Sequence, residues 1–115
     1  MKPEYHIIRG MWATWPELFT SAADLATQAG PGNLIGISHS EDAGESVITV
    51  WNWVGREQGP RRQARFEIFR GAWTSWQTLF DDAARFIATL GPERLIGVSH
   101  SEGKNDGLVA VWYWD

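Results

Sequence analysis

Residues 5–53 and 66–114 align without a gap, and 21 of the 49 aligned positions are identical. The most faithful stretch, Leu34-Ile35-Gly36-Ile37-Ser38-His39-Ser40-Glu41, returns 61 residues later as Leu95-Ile96-Gly97-Val98-Ser99-His100-Ser101-Glu102. Ungapped identity of this kind marks duplication of one supersecondary unit. Two copies are too few for a solenoid, which needs about three or more repeats to bury a continuous core. A chain of 115 residues supports one compact core, so residues 1–115 read as a single domain with two repeats packed about a pseudo-twofold axis. Residues 54–65 carry two glycines, a proline and four of the ten basic residues. They read as a solvated linker, with Val54 and Gly55 placed to extend the strand before it.

Each repeat reads as β-α-β-β. Tyr5–Arg9 and Phe66–Arg70 are rich in aromatic and β-branched residues, the composition of a short strand closed by Gly10 or Gly71. Thr14 and Ser75 are N-cap residues. Glu17 stands three positions after Thr14, the spacing of a capping box, and Pro16 falls in the first turn. Trp15, Leu18, Phe19, Ala22, Leu25, Ala26 and Ala29 then recur at helical spacing, as do their counterparts from Trp76 to Leu90, until Gly30-Pro31 and Gly91-Pro92 stop each helix. The Leu-Ile-Gly stretch supplies a second strand, in which Gly36 and Gly97 read as sites of close packing. Val47–Trp53 and Leu108–Trp114 supply a third, joined to the second by short turn-forming segments as an antiparallel hairpin. A helix between the first two strands makes them parallel, with a right-handed crossover. The expected class is therefore α+β: about six strands with two helices on one face, a ferredoxin-like two-layer sandwich.

Alternate positions of the third strand expose a difficulty for a monomer. Val47, Thr49, Trp51 and Trp53 share one face and Ile48, Val50 and Asn52 the other; in the second repeat Leu108, Ala110, Trp112 and Trp114 oppose Val109, Val111 and Tyr113. Neither face is polar, although helices cover only one. The second face needs its own cover, most simply another copy of the chain, so a homo-oligomer through the open sheet face is expected.

The candidate site residues fall around this face. His39 and Glu41 lie two apart on one strand face, as do His100 and Glu102, a spacing that suits an imidazole general base oriented by a carboxylate. If the second strands adjoin across the axis, the four side chains converge on one cavity, which could serve catalysis or hold a metal through two His and up to two Glu. The structural alternative is that Ser-His-Ser-Glu closes the strand and caps the hairpin. Arg9 and Arg70 end the first strands beside Gly-x-Trp, where each could clamp an anion or form a salt bridge to Glu41 or Glu102. Trp12 and Trp73 stand in the loop before each helix, Trp15 and Trp76 on the helix stripe as core, and Trp51 and Trp112 on the sheet. Trp12, Trp73, Trp51 and Trp112, with Ser38 and Ser99, outline an aromatic pocket for a small ligand near the pseudo-twofold axis, its polar contacts supplied by Arg9, Arg70, His39 and His100.

The length and the duplicated β-α-β-β plan resemble the tautomerase superfamily and, more loosely, duplicated ferredoxin-like domains, in architecture alone. Tautomerases use an N-terminal proline, whereas here Lys2 precedes Pro3, so no family is claimed.

Composition narrows the rest. A net charge of −4 gives no general drive toward nucleic acid or anionic membrane, and the absence of cysteine removes disulfide, thiolate and Cys–metal chemistry. No apolar run approaches ~18 residues. The expectation is a cytoplasmic, cofactor-free protein that binds no metal, nucleic acid or membrane. Three functions stay open: small-ligand binding, a cofactor-free enzyme using a His–Glu acid–base pair, and a structural or interaction protein.

Overall fold

The computed structural model describes residues 1–10, 12–42, 44–57, 59–103 and 106–115. The chain runs β1 (Lys2–Gly10), α1 (Trp15–Ala29), β2 (Leu34–Asp42), β3 (Glu45–Val54), β4 (Ala64–Ala72), α2 (Trp76–Leu90), β5 (Leu95–Gly103) and β6 (Asp106–Trp114). This is the expected α+β class built of two β-α-β-β units. Val54 extends β3 as anticipated, whereas Ala64 and Arg65 belong to β4 and not to the linker.

The helix ends follow from local chemistry. The Glu17 N–H donates to Thr14 Oγ1 at 3.4 Å and the Thr14 N–H to Glu17 Oε2 at 3.2 Å, closing the capping box. Ser75 Oγ accepts from the Thr78 N–H at 3.1 Å. Gly30 and Gly91 end the helices at φ +81° and +80°, a left-handed backbone that glycine adopts without a Cβ penalty.

In each unit the third strand lies in the middle. The orders are β1-β3-β2 and β4-β6-β5, every pairing antiparallel, so β1 and β2 run parallel at the two edges. The six strands thus form two three-stranded sheets and not one continuous sheet. Ladder register fixes the faces: Tyr5, Trp51 and Gly36 stand in one row, Ile7, Thr49 and Ser38 in the next, and on the opposite face Ile8, Ile48 and His39 share a row. The second sheet repeats this with Phe66, Trp112 and Gly97, then Ile68, Ala110 and Ser99.

Each helix covers the same face of its own sheet: α1 lies on Ile48 and Val50, and α2 on Val109 and Val111. Beyond that the units differ. The buried α1 residues Leu18, Phe19, Ala22, Ala23 and Ala26 also share a core with Ala64, Leu108, Ala110, Trp112 and Trp114, on the face of the second sheet that α2 leaves open. Helix α1 is therefore held between the two sheets, while β2 lies against β5. Among the described residues α2 makes no comparable contact with β1. The packing is thus one-sided where a pseudo-twofold was expected. Two equivalent apolar sheet faces needed cover, and a single chain with two helices could supply it to only one of them.

Gly36 and Gly97 also differ from expectation. A Cβ on either would meet nothing within 4 Å, so neither serves close packing. Each instead marks a shift of register in its strand. Among the described residues no helix is long and apolar enough to cross a membrane.

Candidate functional site

The Ser-His-Ser-Glu stretches lie inside β2 and β5, so they do not cap the hairpins. Strand alternation sends His39 toward α1 and His100 toward α2, with Ser38 and Ser99 on the opposite faces. Their surroundings then diverge. His39 and Ser99 are buried, His100 and Ser38 exposed.

Where β2 meets β5, the repeats are joined by a polar contact within the apolar core. His39 Nδ1 lies 2.6 Å from Ser99 Oγ, and the Trp112 indole N–H donates to the same oxygen at 3.0 Å. An indole N–H can only donate, so the Ser99 hydroxyl is free to donate its own hydrogen to Nδ1 of a neutral His39. Burial favours that neutral form. It lowers the His39 pKa from 6.5 to about 4, with repulsion from His100 second and the Leu108 backbone opposing. Among the described residues His39 Nε2 is buried without a hydrogen-bond partner.

Both histidines sit in the same aromatic setting. Trp15 and Phe19 meet His39 edge-on at 5.3 and 5.2 Å, and Trp76 and Phe80 meet His100 at 5.4 and 5.6 Å. The first setting is sealed. The second opens to solvent, with Phe80 40% exposed against 0% for Phe19.

The expected convergence of four side chains is not formed. Neither histidine has a carboxylate at ion-pair distance among the described residues, and no three metal-ligating side chains gather. Glu41 reaches toward Gly103, where a Cβ would collide with its carboxylate. The physical reason is the one-sided packing, which puts His39 in the interior and His100 on the surface.

Arg9 and Arg70 pair across their sheets, with neither Glu41 nor Glu102 as partner. Arg9 Nε lies 3.7 Å from Glu45, and Arg70 contacts Asp106 Oδ2 through Nε at 3.2 Å and an Nη at 2.5 Å. Trp12 and Trp73 are 95% and 88% exposed, and Trp73 lines an open cleft of about 230 Å³ with Trp76, Glu102 and Asp106. Trp73 also holds a left-handed backbone at φ +64°, a costly conformation for a bulky residue. Trp112 is 1% exposed and Trp51 40%.

One feature escaped the sequence reading. His6 Nε2 contacts Glu4 Oε1 at 3.0 Å, and both line a cleft of about 360 Å³ with Asn33, Asn52, Trp53 and Arg56. The signal was present, because Glu4 and His6 have the same two-residue strand spacing as His39 and Glu41. The apolar sheet face left open lies on the first sheet, where Tyr5 is 57% and Ile7 47% exposed beside Trp51. No family model, curated protein or solved structure matches the chain.

Proposed function

We propose that the chain is an interaction module that self-associates through the outer face of its first sheet. The observation that supports this is the contrast between two faces of common origin. Phe66, Ile68, Ala110 and Trp112 are packed under α1, while Tyr5, Ile7 and Trp51 are 57%, 47% and 40% exposed and Thr49 is half-buried. A contiguous Tyr–Ile–Trp surface is the composition of a binding face, because aromatic side chains give large contact area at low conformational entropy cost. Sedimentation equilibrium of the wild type and Trp51→Lys tests it. Association by the wild type and loss of it in the variant are expected. A wild type that stays monomeric at high micromolar concentration would sink the reading.

Small-ligand binding is a second reading, favoured by one cleft. Trp15, Glu41, Arg70, Ser101 and Asp106 line a space of about 210 Å³ where the two units meet. It holds two of the anticipated site residues, Arg70 and Glu41. Ligand-induced change in tryptophan emission that is lost in Arg70→Ala would support it.

A further inference from the structure

We infer that the occupant of the first sheet's outer face is the α2–β5 surface of a second copy of the same chain, docked head to tail as α1–β2 docks on the second sheet. This rests on the interaction reading above and adds the partner and its orientation. The internal interface has a donor side, formed by α1 and the helix-facing side of β2, and an acceptor side, formed by the outer face of β4, β6 and β5. Across it Phe19 meets Phe66 at 5.5 Å and Trp112 at 5.0 Å, and His39 bonds Ser99. Moving each partner to the other repeat replaces Phe19 by Phe80, Phe66 by Tyr5, Trp112 by Trp51, His39 by His100 and Ser99 by Ser38. All five replacements are exposed on this chain, donors on one side and acceptors on the other. The donor side is also preformed, because Trp76 and Phe80 already hold the His100 ring as Trp15 and Phe19 hold His39.

Where the repeats differ, the differences match across the contact. The Ala64 N–H donates to Thr27 Oγ1 at 2.9 Å in the internal interface. The counterparts are Pro3, which has no N–H, and Ala88, which has no hydroxyl, so donor and acceptor vanish together and neither group is stranded. Asp24 and Arg65 line one cleft of the internal interface. Their counterparts are Arg85 and Glu4, in which both signs are exchanged and the charges stay complementary, with Arg85 also beside Asp82 and Glu4 beside His6.

The match is incomplete: Tyr5 and Thr49 carry hydroxyls where Phe66 and Ala110 have none, and one position is sterically mismatched. Glu41 occupies the space that a Cβ on residue 103 would need, and glycine permits it. The equivalent pair is Glu102 opposite Asp42, two carboxylates in a space shaped for one. The contact between copies is therefore weaker than the internal one.

A heterologous contact of this kind has a diagnostic that a symmetric one lacks. Trp51→Lys disables the acceptor and leaves the donor, and Phe80→Lys does the reverse. Sedimentation velocity should find each variant monomeric alone and a one-to-one dimer on mixing, with unchanged circular dichroism in both. Asp42→Gly should tighten self-association by about tenfold, the equivalent of ~1.4 kcal/mol. If Trp51→Lys dissociates the assembly but Phe80→Lys and Asp42→Gly leave it unchanged, the occupant is not the second repeat, and only the broader reading survives. A mixture that stays monomeric while the wild type associates also overturns the head-to-tail contact. A wild type that is monomeric at high micromolar concentration overturns both.

Discussion

His39 Nδ1 lies 2.6 Å from Ser99 Oγ, and through that hydrogen bond the first repeat enters the core of the second. The bond sits among Trp15, Phe19 and Trp112, which exclude the water that would otherwise stabilise a charged imidazole. Its pH consequence follows. The His39 pKa is lowered from 6.5 to about 4, so the unfolded chain takes up the proton first as pH falls. Stability from this group is full above pH 6.5, declines through the window and levels off below about 4. The loss should reach about 3 kcal/mol. Urea denaturation across this range should show a flatter profile for His39→Phe, the difference between the two proteins isolating His39 from the carboxylates.

Ser99→Ala should cost about 2 kcal/mol, because it strands the Trp112 indole N–H and His39 Nδ1 together in a buried site. Ser38→Ala, at the equivalent exposed position, should change the unfolding free energy of the monomer by less than about 0.5 kcal/mol. Chemical denaturation of the two variants at low protein concentration makes the comparison.

Phe19→Ala should cost about 3–5 kcal/mol, the range for emptying a fully packed aromatic site. Phe80→Ala, with its ring 40% exposed, should cost about 1 kcal/mol or less in the monomer. Equal losses in the two melting curves would contradict the one-sided packing of the repeats.

Gly71→Ala and Gly36→Ala should separate a steric requirement from an incidental glycine. A Cβ at residue 71 collides with the Thr74 side chain, so the first variant should lose about 1–3 kcal/mol. At residue 36 a Cβ meets nothing within 4 Å, so the second should be neutral or slightly more stable. Thermal melts of both proteins provide the check.

The elements of each repeat were legible because their signals are local. The Thr14–Glu17 box, the glycine stops after both helices and the alternation through Val47–Trp53 each act within a few residues. The relation between the repeats was not legible, because Trp51 and Trp112 are the same residue with different fates. Only their non-identical neighbours distinguish the two faces. Tyr5 and Thr49 keep hydroxyls on the open face, whereas Phe66 and Ala110 lack them on the covered one. That signal becomes readable only once β1, β3 and β2 are known to share rows. The four-residue His–Glu convergence failed for the same reason, since it presumed a symmetry that the chain lacks, while His39, Ser99 and Trp112 do meet.

The unequal embrace of the two repeats gives the molecule a direction. A protein that joined its halves by a true twofold would have equivalent ends, and nothing about it would point one way. Here the α1 side of one repeat is consumed by the sheet of the other, so the first repeat keeps an exposed sheet face and the second an exposed Phe80–His100 side. Polarity is thus present in the monomer, and any array extended by the same contact has unlike tips. Closure into a ring or growth into a filament then depends on the angle at which β2 crosses β5, repeated from link to link.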